Sequence, residues 1–252
     1  MVTLAVLNQK GGTGKTTTTA NLGAALASLG KKILLIDLDP QANLSYSFGI
    51  NSPQWTMSDV LQEKKPLKSI LIQKENLFVA PSSPTLADVE VSLVNKIGRE
   101  RVLKKSLAPL KEYDYIFIDC PPSLSVLTIN ALNASSEVLI PSQMEALGMH
   151  GLGQLLDTLQ EVRQVLNKNL KIKGIIPSMY NSRRRLSKEV LKEIQSRLDG
   201  VLFKTRIREC VKIAEAPSFA KTVLSYAGSS SGAEDFMKLA KEFIQKKGVK
   251  CL

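Results

Sequence analysis

Gly11-Gly12-Thr13-Gly14-Lys15-Thr16-Thr17 stands directly behind the apolar run Leu4 to Leu7 and in front of a segment with helical spacing. Glycines at such a junction let backbone N–H groups crowd around an anion, and the helix that follows adds the positive end of its dipole. Lys15 is placed to reach the β- and γ-phosphates of a bound triphosphate, and Thr16 to offer its hydroxyl to Mg²⁺. Gly11, Gly12, Thr13, Gly14 and Thr17 complete the cradle. The usual spacing of such a loop, G-x-x-x-x-G-K-[ST], asks for glycine where Gln9 stands. Lys10 adds a second lysine that one triphosphate does not call for.

Acidic residues recur at the ends of apolar runs. Asp37 and Asp39 close the stretch "LLIDLDPQAN", and Asp119 closes "YIFIDCPPS". In an open α/β sheet the ligand crevice lies at the carboxyl ends of the strands, so these positions converge on one place. Asp119 is placed as a carboxylate facing Mg²⁺.

The elements that must position these groups can be read from periodicity. Leu4 to Leu7, Ile33 to Asp37, Leu77 to Ala80, Tyr115 to Asp119, Val138 to Pro141 and Ile172 to Ile176 are short apolar runs that suit buried parallel strands. Helix-length segments lie between them, among them Thr16 to Leu29, Ser125 to Ala134 and Gly151 to Leu166. That alternation predicts an α/β fold, a doubly wound, mostly parallel sheet flanked by helices. With neither repeat nor linker, a single domain over 1–252 is expected. Gly228 to Gly232 reads as a loop before a last amphipathic helix, Ala233 to Lys246, and Lys246 to Lys250 as a frayed cationic tail.

Composition removes several classes of function. With 44% hydrophobic residues the chain has material for a core, and its apolar runs are far short of a membrane span. The start reads as a strand leading into the glycine loop rather than a secretory signal, so a cytoplasmic location is expected. Cys120, Cys210 and Cys251 are far apart and His150 is the only histidine, which argues against zinc, a disulfide framework and Ser-His-Asp or Cys-His catalysis. The net charge of +11 points to a polyanionic partner or to a cationic solubility surface.

"KGGTGKTT", "DLDPQAN", "IDCPPSL" and "EAPSFAK", in this order and spacing, resemble the ParA/Soj family of partition ATPases, in the deviant Walker A group that also contains MinD and the nitrogenase iron protein. The resemblance covers about residues 2 to 245 and is to the short form, without an N-terminal helix-turn-helix extension. It implies a P-loop NTPase-like fold, ATP and Mg²⁺ as cofactors, and an ATP-dependent sandwich homodimer. Lys10 matches the signature lysine that touches the phosphates bound by the partner subunit, a use that fits a cation arriving only on dimerisation. Asp39 matches the aspartate of switch I that positions or activates the attacking water and is counted with Thr16 and Asp119 in the metal site, with Asp37 its structural and Mg²⁺-side neighbour. Asp119 matches the switch II aspartate that holds Mg²⁺ through water. Met179, Asn181, Ile207 and Arg208 match the adenine side. There the chain has Asn181 where the family usually has Asp, and Ile207-Arg208-Glu209-Cys210 where it has I-P-R-N.

Lysine and arginine gather in the C-terminal half. Arg183 and Lys212 match positions that the family uses for DNA binding without sequence preference, and Arg184 and Arg185 adjoin the first of them. Binding of that kind neutralises phosphates and weakens steeply with salt. The resemblance further implies a ParB-like adaptor on the cargo, which stimulates hydrolysis, and a nucleoid-associated location. A MinD-like ATPase at a membrane surface is the rival reading. It rests on the stripe Phe236, Leu239, Ala240, Phe243 and Ile244, a spacing that serves core packing equally well. A third reading, an electron-transfer protein like the nitrogenase iron protein, lacks cysteines at cluster spacing.

Overall fold

Five-residue apolar runs set the centre of the molecule, because a strand with helices on both faces must be apolar on both. The protein's structure, a computed structural model, describes residues 1–198 and 200–250. The strands are β1 (Val2–Val6), β2 (Ile33–Asp37), β3 (Ile72–Lys74), β4 (Leu77–Ala80), β5 (Tyr115–Asp119), β6 (Glu137–Gln143), β7 (Lys171–Ser178) and β8 (Val249–Lys250). They form one sheet in the order β3-β4-β2-β5-β1-β6-β7-β8. The inner strands are parallel, and only the edge pairs β3–β4 and β7–β8 run antiparallel. This is a doubly wound α/β architecture with the strand order reversing around β1.

Eleven α-helices are assigned among the described residues: α1 (Lys15–Ser28), α2 (Asn43–Ser47), α3 (Met57–Leu61), α4 (Leu86–Leu93), α5 (Val102–Leu107), α6 (Val126–Ala134), α7 (Ala146–Val165), α8 (Arg185–Arg197), α9 (Val211–Glu215), α10 (Val223–Tyr226) and α11 (Ser231–Gln245). They divide the core into two apolar layers, one on each face of the sheet. One layer joins Leu34, Ile36, Ile116 and Ile118 to α3–α8, and the other joins Leu4, Leu35 and Phe117 to α1 and α11. Phe236, Leu239, Ala240 and Phe243 of α11 are all buried in the second layer. The stripe considered above as a membrane face is therefore spent on the core, and Ile244 alone of it is exposed. No helix among the described residues is long and apolar enough to cross a membrane.

The observed elements depart from expectation mainly at their ends. The first strand starts two residues early, at Val2, because its partner β5 supplies ladder positions back to Tyr115. α6 begins one residue late since Ser125 is its cap, accepting from the Leu127 N–H. α11 begins inside the expected loop, where Ser230 accepts from the Ala233 N–H. The tail expected to fray is tied down instead. β8 pairs with Lys171 and Ile172, and the buried Lys173 ammonium donates to the Lys246 carbonyl at 2.7 Å. Cys251 and the side chain of His150 lie outside the described residues.

Candidate functional site

The crevice lies where the carboxyl ends of β1, β2, β5, β6 and β7 meet the N-terminus of α1. Gly12 and Gly14 hold φ values of 72° and 86°, the left-handed region that glycine enters without a Cβ penalty. Gly14 is the N-cap of α1 and no side chain caps that helix, which leaves its first N–H groups open toward a ligand. The loop is clamped from several strands. The Asn8 side chain donates to the Pro141 carbonyl and accepts from the Lys10 N–H, while the Ser178 hydroxyl donates to the Thr13 carbonyl at 2.7 Å. Gly11, Gly12, Gly14, Lys15, Thr16 and Thr17 line a cavity of about 530 Å³ together with Asp39 and Pro122. Thr13 is buried beneath them.

The acidic side is built by strand register. Asp37 and Asp119 end neighbouring strands directly opposite each other, and both are fully buried. Asp119 accepts from the Thr16 hydroxyl at 2.7 Å and from the Thr19 hydroxyl at 3.2 Å. Burial raises its pKa to about 8, with the Asp37 charge adding to the effect. Burial likewise raises Asp37 to about 6, against the two bonds it accepts from Ser45 and one from the Asp39 N–H. Asp37 thus fixes the loop carrying Asp39, whose carboxylate accepts from the Gln41 N–H and reaches the cavity. Burial lowers the pKa of Lys15, opposed by the negative fields of Asp119 and Asp39.

Two buried carboxylates facing one buried ammonium, with a bare helix N-terminus beside them, suit a cation bound together with an anion. The hydroxyl of Thr16 and the carboxylate of Asp119 are hard oxygen donors that could hold Mg²⁺. Among the described residues no group of three His, Cys, Asp or Glu side chains could hold a metal alone. Mg²⁺ normally keeps water and takes phosphate oxygens with one or two protein ligands, which is what this site offers.

Lys10 accepts from the Lys15 ammonium at 3.3 Å through its backbone carbonyl, while its side chain has partners of its own. Its ammonium donates to Glu145 at 2.8 Å and to the Gln143 side-chain oxygen at 3.2 Å, and its side chain is 40% exposed. It is not among the residues lining the cavity of the glycine loop. Gln143 also donates to the Gly12 carbonyl, so it couples this lysine to the loop. Sequence reasoning missed Thr19, Gln143, Glu145 and Ser178. The signal was present for two of them, since Gln143 and Ser178 are the last residues of β6 and β7.

Beside the loop lies a second, mostly apolar cavity of about 390 Å³, lined by Thr17, Met179, Ile207, Arg208, Ile213 and Pro217 among others. Two backbone bonds, Tyr180 N–H to the Ile207 carbonyl and Ile207 N–H to the Pro177 carbonyl, bring its two walls together. Met179 takes φ 47°, an uncommon conformation for a non-glycine residue. Asn181 does not line this cavity; its side chain accepts from the Arg183 N–H in the next turn. The Arg208 guanidinium reaches instead to α11, pairing with buried Asp235 at 2.7 Å and with Glu234 at 3.0 Å.

The four basic candidates differ in charge environment. Arg184 pairs with Glu209, Arg185 with Glu189, and Lys212 with Glu215. The Arg183 side chain has no acidic partner among the described residues. It is exposed at the start of the turn leading into α8.

Residues 1–172 match the family described as AAA domain. Sporulation initiation inhibitor protein Soj of Bacillus subtilis is 44% identical over 95% of this chain and 96% of its own length. Chromosome-partitioning ATPase Soj of Treponema pallidum is 44% identical, covering 98% of each chain. Among solved structures, cobyrinic acid a,c-diamide synthase of Mycobacterium smegmatis with bound ATP analogue and magnesium superposes with a TM-score of 0.86. It is 36% identical over 97% of this chain and 94% of that one. Glycine loop, paired strand-end aspartates and near full-length identity agree, and the chain belongs to the Soj/ParA family of chromosome-partitioning ATPases.

Proposed function

We propose that the protein is an Mg²⁺-dependent ATPase that closes face to face as a dimer around ATP and binds DNA without sequence preference in that state. It uses the cycle to position a cargo through a ParB-like adaptor in the cytoplasm. Lys15 and the open N–H groups of α1 hold the phosphates, and Thr16 with Asp119 holds Mg²⁺. Mg²⁺, when bound, offsets negative charge on the phosphoryl oxygens. Asp39 orients the attacking water from its loop, which Asp37 fixes through Ser45. The apolar cavity bounded by Met179 and Ile207 takes the base, and Arg208, anchored to Asp235 of α11, supports its wall.

The observation that carries this reading is the placement of Lys10. A cation that does not line its own phosphate cavity, and that sits half-exposed at its mouth, is available to the site of a second copy. Charge arriving only on closure stabilises the transition state without binding the ground state in the monomer. Dimerisation also doubles the basic surface, so DNA affinity rises by effective concentration rather than by new contacts.

The test is light scattering and DNA anisotropy on one sample, with and without Mg-ATP. The proposal predicts a dimer and DNA binding with ATP and neither with ADP. ATP-independent DNA binding by a monomer contradicts it. Anionic liposomes in parallel test the membrane alternative, which the burial of the α11 stripe disfavours.

A further inference from the structure

A cavity of about 330 Å³ opens between α8, α11 and the segment after Gly200, away from the glycine loop. Its walls include Leu191, Leu202 and Phe203, and its polar side chains are Gln195, Lys204, Arg206, Lys246 and Glu242. These cations differ from several of the basic residues in the C-terminal half. Arg184, Arg185, Arg208, Lys212 and Lys238 each pair with an acid, which cancels much of the field they would present to a polyanion.

In this cavity the partners are neutral. Arg206 lies over the Tyr180 ring at 4.6 Å and donates to its hydroxyl. The Lys246 ammonium donates to the Gly200 and Leu202 carbonyls and lies 5.2 Å from the Phe203 ring centre. Lys204 has no acidic partner for its side chain among the described residues. Glu242 is the one carboxylate in the cavity wall, and it is engaged by the backbone N–H groups of Lys204 and Thr205 at 2.7 and 2.8 Å. Burial holds the Lys246 pKa down, opposed first by the Glu242 charge, and the charges of Lys173 and Lys204 add smaller downward pushes. An entering anion relieves that mutual repulsion.

We propose that this cavity is a phosphate seat, in which Lys204, Arg206 and Lys246 take a phosphodiester of the DNA backbone. The proposal rests on the DNA reading above and adds to it the surface that makes the contact. A guanidinium and two ammonium groups converging on one pocket match a phosphate, to which Arg gives a forked and Lys a point contact. The contact proposed is to the phosphodiester and not to a base edge, so it carries no sequence preference.

The experiment compares the wild type with the double variant Lys204→Gln/Arg206→Gln, in Mg-ATP, by DNA anisotropy across a KCl series, with dimerisation measured on the same samples. The double variant is expected to dimerise normally. Its DNA affinity should fall roughly three- to tenfold at low salt, and its dependence of log affinity on log salt should flatten by about one to two. Unchanged affinity and slope, beside a wild type that binds DNA, overturn the phosphate seat and leave the DNA reading standing. A wild type that binds no DNA overturns both. Inorganic phosphate is tested separately by thermal shift. Wild-type stabilisation by phosphate that the variant loses, with DNA binding equal in the two, makes free phosphate the occupant and overturns the assignment to DNA.

Discussion

Asp119→Asn should make the ligand-free protein more stable at neutral and alkaline pH while destroying its function. Asp119 is wholly buried, lies opposite Asp37 in the β2–β5 register, and has its pKa raised to about 8. An unfolded aspartate ionises near pH 4. Between those values the folded chain keeps a proton that the unfolded chain has released. Folding therefore takes up a proton there, and stability falls as pH rises. One such group removes about 1.4 kcal/mol per pH unit, so passing from pH 6 to pH 8 costs about 2 kcal/mol once rounding near the folded pKa is allowed for. For a chain of this size that is a Tm decrease of roughly 4–8 °C. Asparagine is isosteric and has no proton to lose; its amide oxygen can accept from the Thr16 hydroxyl while its amide NH2 donates to the Thr19 oxygen, whose hydroxyl still donates to the Lys15 carbonyl. Calorimetry in EDTA without nucleotide should show wild-type Tm falling over this interval and the variant nearly level. Taking the difference between the two cancels groups that titrate in both. Adding Mg-ATP should raise Tm in the wild type alone. Parallel pH profiles for the two proteins would refute the view that this carboxyl is held protonated against its burial.

Four further outcomes follow from the same geometry. Lys15→Ala should abolish ATP binding in equilibrium dialysis, since its ammonium is the buried cation of the loop cavity; retained tight binding would remove the loop assignment. Asp39→Ala should bind ATP and accumulate as a dimer without hydrolysing it, read by light scattering with phosphate release; a variant that turns over normally would place the water elsewhere. Glu145→Gln weakens the hold on Lys10, and an exposed pair of this kind is worth at most about 1 kcal/mol. ATP-dependent dimerisation should therefore tighten by no more than about fivefold, and weakened dimerisation would mean that Glu145 positions Lys10 for the partner. Arg183→Glu should lose DNA in anisotropy while keeping the dimer, and undiminished binding would clear this residue.

What could be read ahead of the structure were the features written in consecutive residues. The glycine loop, Asp37, Asp39 and Asp119 all stand at the ends of uninterrupted apolar runs, so one periodicity places both strand and ligand group. β8 escaped notice because two residues, Val249 and Lys250, carry no period, and the ladder to β7 alone defines it. The hold on Lys10 also escaped, since Gln143 and Glu145 are separated from it by more than half of the chain. Arg208 shows a further limit. Its position beside the apolar cavity was legible, but the buried Asp235 that draws its side chain away lies on α11 and leaves no local mark. Charge was legible in number and not in effect. The sequence offers Arg184, Arg185 and Lys212 as cations without showing that each is paired with an acid, or that Lys204, Arg206 and Lys246 meet neutral groups and the engaged Glu242.

The central claim is that Lys10 completes the site of a second subunit, and mixing two inactive variants tests it. Lys10→Ala keeps its own Asp39 but offers its partner no lysine, and Asp39→Ala has the reverse defect. Each alone should release almost no phosphate from ATP. In the mixed dimer, the site of the Lys10→Ala chain receives Lys10 from the Asp39→Ala chain and is whole. The account predicts that mixing restores phosphate release; a mixture as inactive as its components, with mixed dimers demonstrated, would contradict it.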